Sequence, residues 1–323
     1  AGVLKISGGR GGGMRLLALG LASAALALLL AARRRKAALR GPDPAREPYS
    51  LLLTLEGARL RGVREGDVSV SFASAHDRRP HATDGAIDEV WREKLASGAR
   101  LFDQTKFRLR RIARTAAGVE MEVGLTRYKE YIGTHAGGRV LALQAAAEAA
   151  HGERRAHLSC ALGCEAVLLT RERQVVLLRR SGATASHQRL YNGPSGHAEP
   201  AHAGVETHGG MCADSAAARV VRELFEAIVQ EVHEETNIPK ESLSEPLLIG
   251  AMEDSRLKPD LLFLLSTSLD AAAVRACYSR GATEVWESDK LVFWPADTID
   301  SCSLPLTPVT RAAIDCFKIV DKR

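Results

Sequence analysis

The stretch RVVRELFEAIVQEVHEETNIP (219–239) limits what this chain can fold into more than any other. At about 100° per residue, Val220, Leu224, Ile228 and Val232 share one face, widened by Val221, Phe225 and Val229, so the segment is a helix laid against a core. Its last two turns break the amphipathic pattern. With Glu231 as the reference, Leu224 lies about 20° away, Glu235 about 40°, and Glu234 about 60° on the other side. The buried stripe therefore runs into carboxylates. Acids at i, i+3 and i+4 on one edge repel unless a cation sits among them. A hard divalent ion such as Mg²⁺ suits the place, because it takes oxygen ligands and keeps waters and substrate phosphates. The competing reading is a solvated acidic helix end, and Glu223, Glu226 and His233, assigned to the opposite side of the wheel, are read that way. Asn237 tolerates a left-handed cap and Pro239 stops the helix.

Strand patterns flank this helix. CEAVLLT (164–170) and QVVLLRRS (174–181) are joined by the charged turn at 171–173, and an irregular loop from Gly182 to about Asp214 carries YNGPSGHAEP (191–200). After the helix come strands at 246–253 and 260–269, a helix at 271–279, a strand at 290–296 and a helix ending near Lys318. Upstream, 50–57 and 66–74 read as strands and 86–96 as a helix. The segments 106–114 and 119–128 form a hairpin about Gly118, and 139–150 is an Ala-rich helix. Strands with few helices in mixed order point to an α/β (α+β) sandwich rather than a βαβ repeat. The expected division is a smaller mixed α/β domain at 46–150 and a larger one at 155–323, which holds the acidic helix.

The charge balance narrows the partners. Residues 1–42 hold no acid and eight of the chain's 44 Lys and Arg, which leaves 36 basic against 39 acidic side chains in the rest. A nucleic-acid platform would be basic in its folded part, so nucleic acid is excluded. Six cysteines without CxxC pairs suit buried, reduced thiols, and a cytoplasmic location is expected. Residues 16–32 are an unbroken small or apolar run followed by Arg33, Arg34, Arg35 and Lys36, and GPDPAREP (41–48) is a linker. The extension at 1–45 reads as a signal anchor, as an organelle transit peptide or as translated upstream sequence. Membrane contact is expected only if it is an anchor.

QEVHEETNI resembles the core of the Nudix box, REUxEExGU with U apolar, and Glu231, Glu234 and Glu235 fall on its three core glutamates. GPSGHAEP is similar to the opening of the box, Gly196 being the best match. Gln230 stands where the family has Arg, Asn237 replaces Gly, the early box acid falls at Arg222 with Glu223 beside it, and the loop is longer. These departures resemble the UDP-glucose pyrophosphatase branch, as do AHDRRP (75–80), LFDQTKFRL (101–109), GLTRYKEYIGT (124–134) and LLRRS (177–181). The likeness runs over roughly 50 to 295.

The resemblance implies a Nudix αβα sandwich with a mixed sheet, preceded by the smaller domain. It also implies hydrolysis of UDP-glucose or UDP-galactose to UMP and sugar 1-phosphate, with Mg²⁺ as cofactor and Mn²⁺ as the alternative. Glu231 and Glu235, with Gly196, would hold the metal. Glu234 would take a further ion or orient water, and Glu287 in VWESDK is the candidate general base. Adjacent strand residues face opposite sides, so only one of Arg179 and Arg180 can reach the site; in the resembling branch the second Arg contacts phosphate, which implies Arg180. Phe102 and Tyr128 would stack on the base, the competing reading being core packing, and His197 would line the substrate site. His187, His202 and His208, like the ring of His197, lack paired spacing and are read as facing solvent. His76-Asp77-Arg78-Arg79 is read as a structural turn. The rival functions are a Nudix enzyme for another dinucleotide such as ADP-ribose, and a nucleotide-sugar sensor without turnover.

Overall fold

The computed structural model describes residues 44–57, 62–98, 101–135, 138–182, 187–210, 212–281 and 287–321. The apolar run at 16–32 and its basic flank, with all three readings of them, lie outside the described residues. Among those described, no helix is long and apolar enough to cross a membrane. The chain divides into Ala1–Arg46 and Glu47–Arg323. The described part of the first unit is a short 3-10 turn, Pro44–Arg46; all that follows concerns the second.

Its strands in chain order are β1 (Tyr49–Thr54), β2 (Val68–Phe72), β3 (Thr105–Arg114), β4 (Val119–Arg127), β5 (Gly163–Leu169), β6 (Gln174–Arg180), β7 (Tyr191–Asn192), β8 (Ser195–Gly196), β9 (Leu247–Asp254), β10 (Pro259–Ser266) and β11 (Ser288–Pro295). The helices are α1 (Gly85–Ala96), α2 (Tyr128–His135), α3 (Val140–His151), α4 (Pro200–Ala203), α5 (Ala213–Thr236), α6 (Ala271–Ser279) and α7 (Pro308–Val320). The large sheet runs β1-β9-β10-β5-β6-β11, with β7 on β6 and β8 on β5. It is mixed: β10 and β5 are parallel, whereas β1 with β9, β9 with β10, and β6 with β11 are antiparallel.

Packing explains the sequence pattern. Every residue of β5 is buried, as a strand covered on both faces must be, so it reads as an apolar run without alternation. Helix α7 packs on β9, β5, β1 and β10, and α5 packs on β5, β8 and β2. A side chain at Gly250 would come within 2.5 Å of Cys316 Sγ on α7, so glycine permits that close layer. The result is the expected α/β sandwich with a mixed sheet.

The second sheet, β2-β4-β3, is built wholly from 68–127. The hairpin about Gly118 is present, with β3 and β4 antiparallel and β2 parallel to β4. Chain from both sides of residue 150 builds the large sheet, because β1 pairs with β9, and an isolated bridge joins Arg108 to Ala161. The fully buried Arg108 guanidinium donates to the carbonyls of Leu158 (3.2 Å), His76 (2.7 Å) and Arg155 (2.7 Å), tying three segments together. The AHDRRP segment is structural, as expected. Arg78 donates to both carboxylate oxygens of Asp84 and to Glu130, and Asp77 accepts the Leu125 amide.

The stretch read as an irregular loop contains the short β7, β8 and α4, and a second departure lies upstream. The strand expected to run through Tyr128 ends at Arg127, and Tyr128–His135 is helical. Glu130 reaches back to the Arg127 amide (3.0 Å), and Asp103 accepts the Lys129 amide (3.1 Å). Two N-terminal amides of a helix rich in β-formers are thereby satisfied by carboxylates.

Candidate active site

The acidic end of α5 meets the loop that carries the Gly-rich motif. Glu231 Oε1 accepts the amide of His197 at 3.1 Å, and two turns earlier Glu223 Oε1 accepts the amide of Glu199 at 2.9 Å. Two acids on one helix thus grip alternate amides of 197–199. Glu223 corrects the sequence reading: it is 6 % exposed, not solvated. On the wheel it lies about 80° from Glu231, on the flank of the stripe rather than opposite it. Burial raises its carboxyl pKa, against the Glu199 amide. Glu226 is exposed and His233 partly buried, its Nδ1 2.8 Å from the Ile238 carbonyl.

Gly196 is placed by β8, where it pairs with Cys164 of β5. It leaves no room for a side chain: a Cβ there would lie 1.7 Å from Glu231 Oε1 and 2.4 Å from Oε2. Glu235 is buried one turn beyond Glu231. Glu234 accepts a hydrogen bond from Gln230, the residue standing where the Nudix box has Arg. Asn237 caps the helix at φ 58°, and its amide side chain donates to the Cys277 carbonyl. Among the described residues no group of three or more His, Cys, Asp or Glu side chains is arranged to hold a metal ion. Two carboxylates one turn apart with a bare backbone at Gly196 nevertheless fit an ion that takes few protein ligands and keeps water and phosphate oxygens.

A second group gathers beyond the loop. Tyr128, first residue of α2, meets the His197 ring edge-on at 6.4 Å and lies 5.7 Å from Tyr131. Burial raises the Tyr128 phenol pKa, the charges of Lys258 and Arg180 lower it, and Glu287 raises it. Glu287 is itself raised by burial, with Arg180 opposing. These mutual influences bring Tyr128, Arg180 and Glu287 into one electrostatic neighbourhood. Arg179 points away from it, into Asp289 at 2.6 Å. Phe102 stands apart on the loop before β3, 75 % exposed and outside the core.

The histidines need individual correction. His187 meets Glu47 at 3.0 Å, His208 meets Asp77 at 2.8 Å and packs on Phe72, and both are largely buried. Of the four loop histidines, only His202 is open to solvent, 3.5 Å from Glu223. Burial, with Lys258 and Lys106, holds the His197 imidazole pKa well below its usual value, so the ring is neutral. Its buried Nε2 has no hydrogen-bond partner. Acid partners far away in sequence were invisible in the spacing.

Sequence reasoning also missed Lys258, Asp260 and Glu165. Lys258 pairs with Asp260 across the bare Gly163 backbone. Glu165 is a buried acid in β5, isolated in an apolar run that gave no signal. Lys106 pairs with Glu199 and helps to fix the gripped loop. A cavity of about 320 Å³, lined by Phe72, Ser74, Gly204, Thr207, His208 and Ala213 among others, opens at the opposite end of α5. At 1.5 Å per residue it lies roughly 25 Å from Glu231, and no sequence-predicted site residue lines it.

No family model matches the chain. Known proteins do. The uridine diphosphate glucose pyrophosphatase NUDT22 of Mus musculus is 34 % identical over 244 residues, 72 % of this chain and 78 % of that protein. The Homo sapiens protein of the same name is 33 % identical over 255 residues, 76 % of this chain and 82 % of its own length. Nudix hydrolase 9 of Arabidopsis thaliana is 30 % identical over 265 residues, 77 % of this chain and 83 % of that one. A MutT protein of Methanosarcina mazei superposes with a TM-score of 0.32 at 15 % identity, over 50 % of this chain and 95 % of that one. With relatives of this identity and extent, the chain belongs to the Nudix hydrolases.

Proposed function

We propose that the chain hydrolyses the diphosphate of UDP-glucose or UDP-galactose, releasing UMP and sugar 1-phosphate. The observation that carries the reading is the seat of Gly196 against Glu231, where the backbone and a helix-end carboxylate come together. The names of the relatives, uridine diphosphate glucose pyrophosphatase among them, support the substrate class.

Glu231, Glu235 and the Gly196 backbone are the residues that would hold Mg²⁺, or Mn²⁺ in its place. When bound, such an ion neutralises diphosphate charge and lowers the pKa of water. The chain's own residues do the rest. Arg180 binds phosphate from the end of β6. Gln230 orients Glu234, and Glu234 aligns the attacking water. Glu287 takes the water's proton, since burial raises its carboxyl toward the range where a general base works best. The neutral His197 ring, with its unpartnered Nε2, offers a hydrogen bond to a phosphate or sugar oxygen. Tyr128 and Phe102 supply aromatic faces for uracil.

The test is purified protein with Mg²⁺ against a panel of nucleotide sugars and ADP-ribose, with products separated by ion-exchange chromatography. UMP and sugar 1-phosphate are expected from the UDP-sugars, and excess chelator should stop their release. Preferential cleavage of ADP-ribose would reassign the substrate, and turnover undiminished in chelator would overturn the mechanism.

A further inference from the structure

Strand β5 carries one acid, Glu165, in the otherwise apolar and wholly buried run GCEAVLL. It is 1 % exposed. Oε1 accepts the Gly193 amide at 3.3 Å, and the Thr310 hydroxyl of α7 also acts on the carboxyl. The same strand pairs through its backbone with the far end of that turn, Glu165 opposite Ser195 and Cys164 opposite Gly196. The turn is closed by Asn192, whose side-chain amide donates to Ser195 Oγ at 2.8 Å. Gly193 lies so close to β5 that a Cβ would fall 2.2 Å from the Ala166 carbonyl oxygen. Residues 192–196 are therefore held by β6 at Asn192, by the Ala166 amide at the Pro194 carbonyl (2.9 Å) and by β5 at Ser195 and Gly196, and at Gly193 the amide is held by the Glu165 side chain; the last of these residues is the glycine seated on Glu231.

The charge state follows from the surroundings. Arg180 on β6 is the cation acting on Glu165; Asp260 on β10 opposes it and has its own partner in Lys258, and α7 presents the Thr310 hydroxyl. Burial outweighs these influences and pushes the carboxyl up to about 8. A carboxylic acid that keeps its proton at neutral pH can offer a carbonyl-type oxygen to the Gly193 amide without burying a net charge.

We propose that Glu165 is a positioning residue of this site, whose buried side-chain oxygen holds the Gly193 amide, fixes the 192–196 turn and thereby sets the Gly196 backbone against Glu231. The proposal rests on the reading of Gly196, Glu231 and Glu235 as the divalent-metal site. It assigns a function to a side chain that touches neither metal nor substrate.

The experiment is a Mn²⁺ titration of the full chain, followed by the electron paramagnetic resonance of free Mn²⁺, with kcat and KM for UDP-glucose measured in parallel. Glu165→Leu should weaken Mn²⁺ binding by about 10- to 100-fold, the range for residues that orient metal ligands, and lower kcat more than it raises KM. Glu165→Gln keeps the acceptor without a charge and should restore both. Glu165→Met is carried alongside in case Leu does not fold, with near-ultraviolet circular dichroism as the check. Wild-type Mn²⁺ affinity in the Leu or Met variant would overturn the proposal. So would a Gln variant as weak as Leu, because the negative charge would then be what matters. A wild-type chain that binds no Mn²⁺ would instead overturn the metal reading beneath it.

Discussion

Gly196→Ala tests the site with a single methyl group. The new Cβ would lie 1.7 Å from Glu231 Oε1, 2.0 Å from Cδ and 2.4 Å from Oε2, whereas real Cβ contacts stay beyond 3.0 Å. The carboxylate must therefore retreat by more than 1 Å. It sits at the free end of a flexible side chain, so the fold can yield without moving backbone. Retreat breaks the 3.1 Å bond from the His197 amide, a charge-assisted bond worth about 1.5–3 kcal/mol gross and less where solvent reaches it. The melting temperature should fall by only a few degrees. Activity should suffer far more, because a 1 Å misplacement costs roughly 100-fold in rate, or about 2.7 kcal/mol of transition-state stabilisation. The assay is kcat/KM for UDP-glucose with Mg²⁺, paired with a thermal melt. Gly118→Ala is the control, since its Cβ would fall 1.9 Å from the Asp67 carbonyl at φ 145°; there the melt should collapse. Gly196→Ala with wild-type turnover would refute the assignment of this seat as the reactive site.

Four further expectations follow from the same geometry. Glu231→Gln should nearly abolish turnover with the melting temperature close to wild type, and substantial remaining turnover would remove the helix from the mechanism. Phe102→Ala should leave the melt unchanged, since the ring is 75 % exposed, yet raise KM about five- to a hundred-fold if it stacks on uracil; Tyr128→Ala should lower both stability and affinity, and unaltered UDP-glucose binding in both variants would place the base elsewhere. His135 Nδ1 lies 2.7 Å from the Arg256 carbonyl and Nε2 accepts the Cys160 amide at 2.9 Å, and burial lowers its pKa to about 4 from 6.5. Its neutral form stabilises the fold above pH 6.5, and about 3 kcal/mol should be lost as pH falls from there through 4, so His135→Gln should flatten the acid limb of a pH–melting profile. Glu47 ties His187 (3.0 Å) to Ser255, so a chain starting at Ala45 should behave as the full chain, while one starting at Tyr49 should lose ~1–2 kcal/mol in a denaturant titration.

The helix that bears the acids was legible because a 3.6-residue apolar repeat survives any context and its interruption by Glu231 and Glu235 is itself a signal. The strands flanking it were legible as short apolar runs bounded by a charged turn and a Gly-containing loop. Tyr128–His135 was not, because its Tyr, Ile and Thr favour strands and its start depends on Asp103 and Glu130, which are read only in three dimensions. Glu165 could not be found, since a single acid in an apolar strand has no period. Glu223 was misplaced by treating 80° on a wheel as the far side. His187 looked solvent-bound because its partner Glu47 lies 140 residues away.

The large sheet also sets a timetable for synthesis. Its edge strand β1 pairs with β9, Tyr49 opposite Asp254, and the central β5 lies parallel to β10, Gly163 opposite Asp260. At roughly 5–20 residues per second, the ribosome makes β1 on the order of 10–40 s before its partner, and β5 waits about half as long. During that interval GCEAVLL, wholly buried in the finished molecule, and QVVLLRR, buried apart from its ends, are outside the ribosome with open edges. Such strands are templates for pairing with other chains, and non-local, partly parallel sheets close slowly. Nascent chains released before residue 266 should therefore aggregate or be retained by chaperones, whereas those released after the C-terminal helix should not. That difference can be read by pelleting a series of truncated chains from cell-free translation.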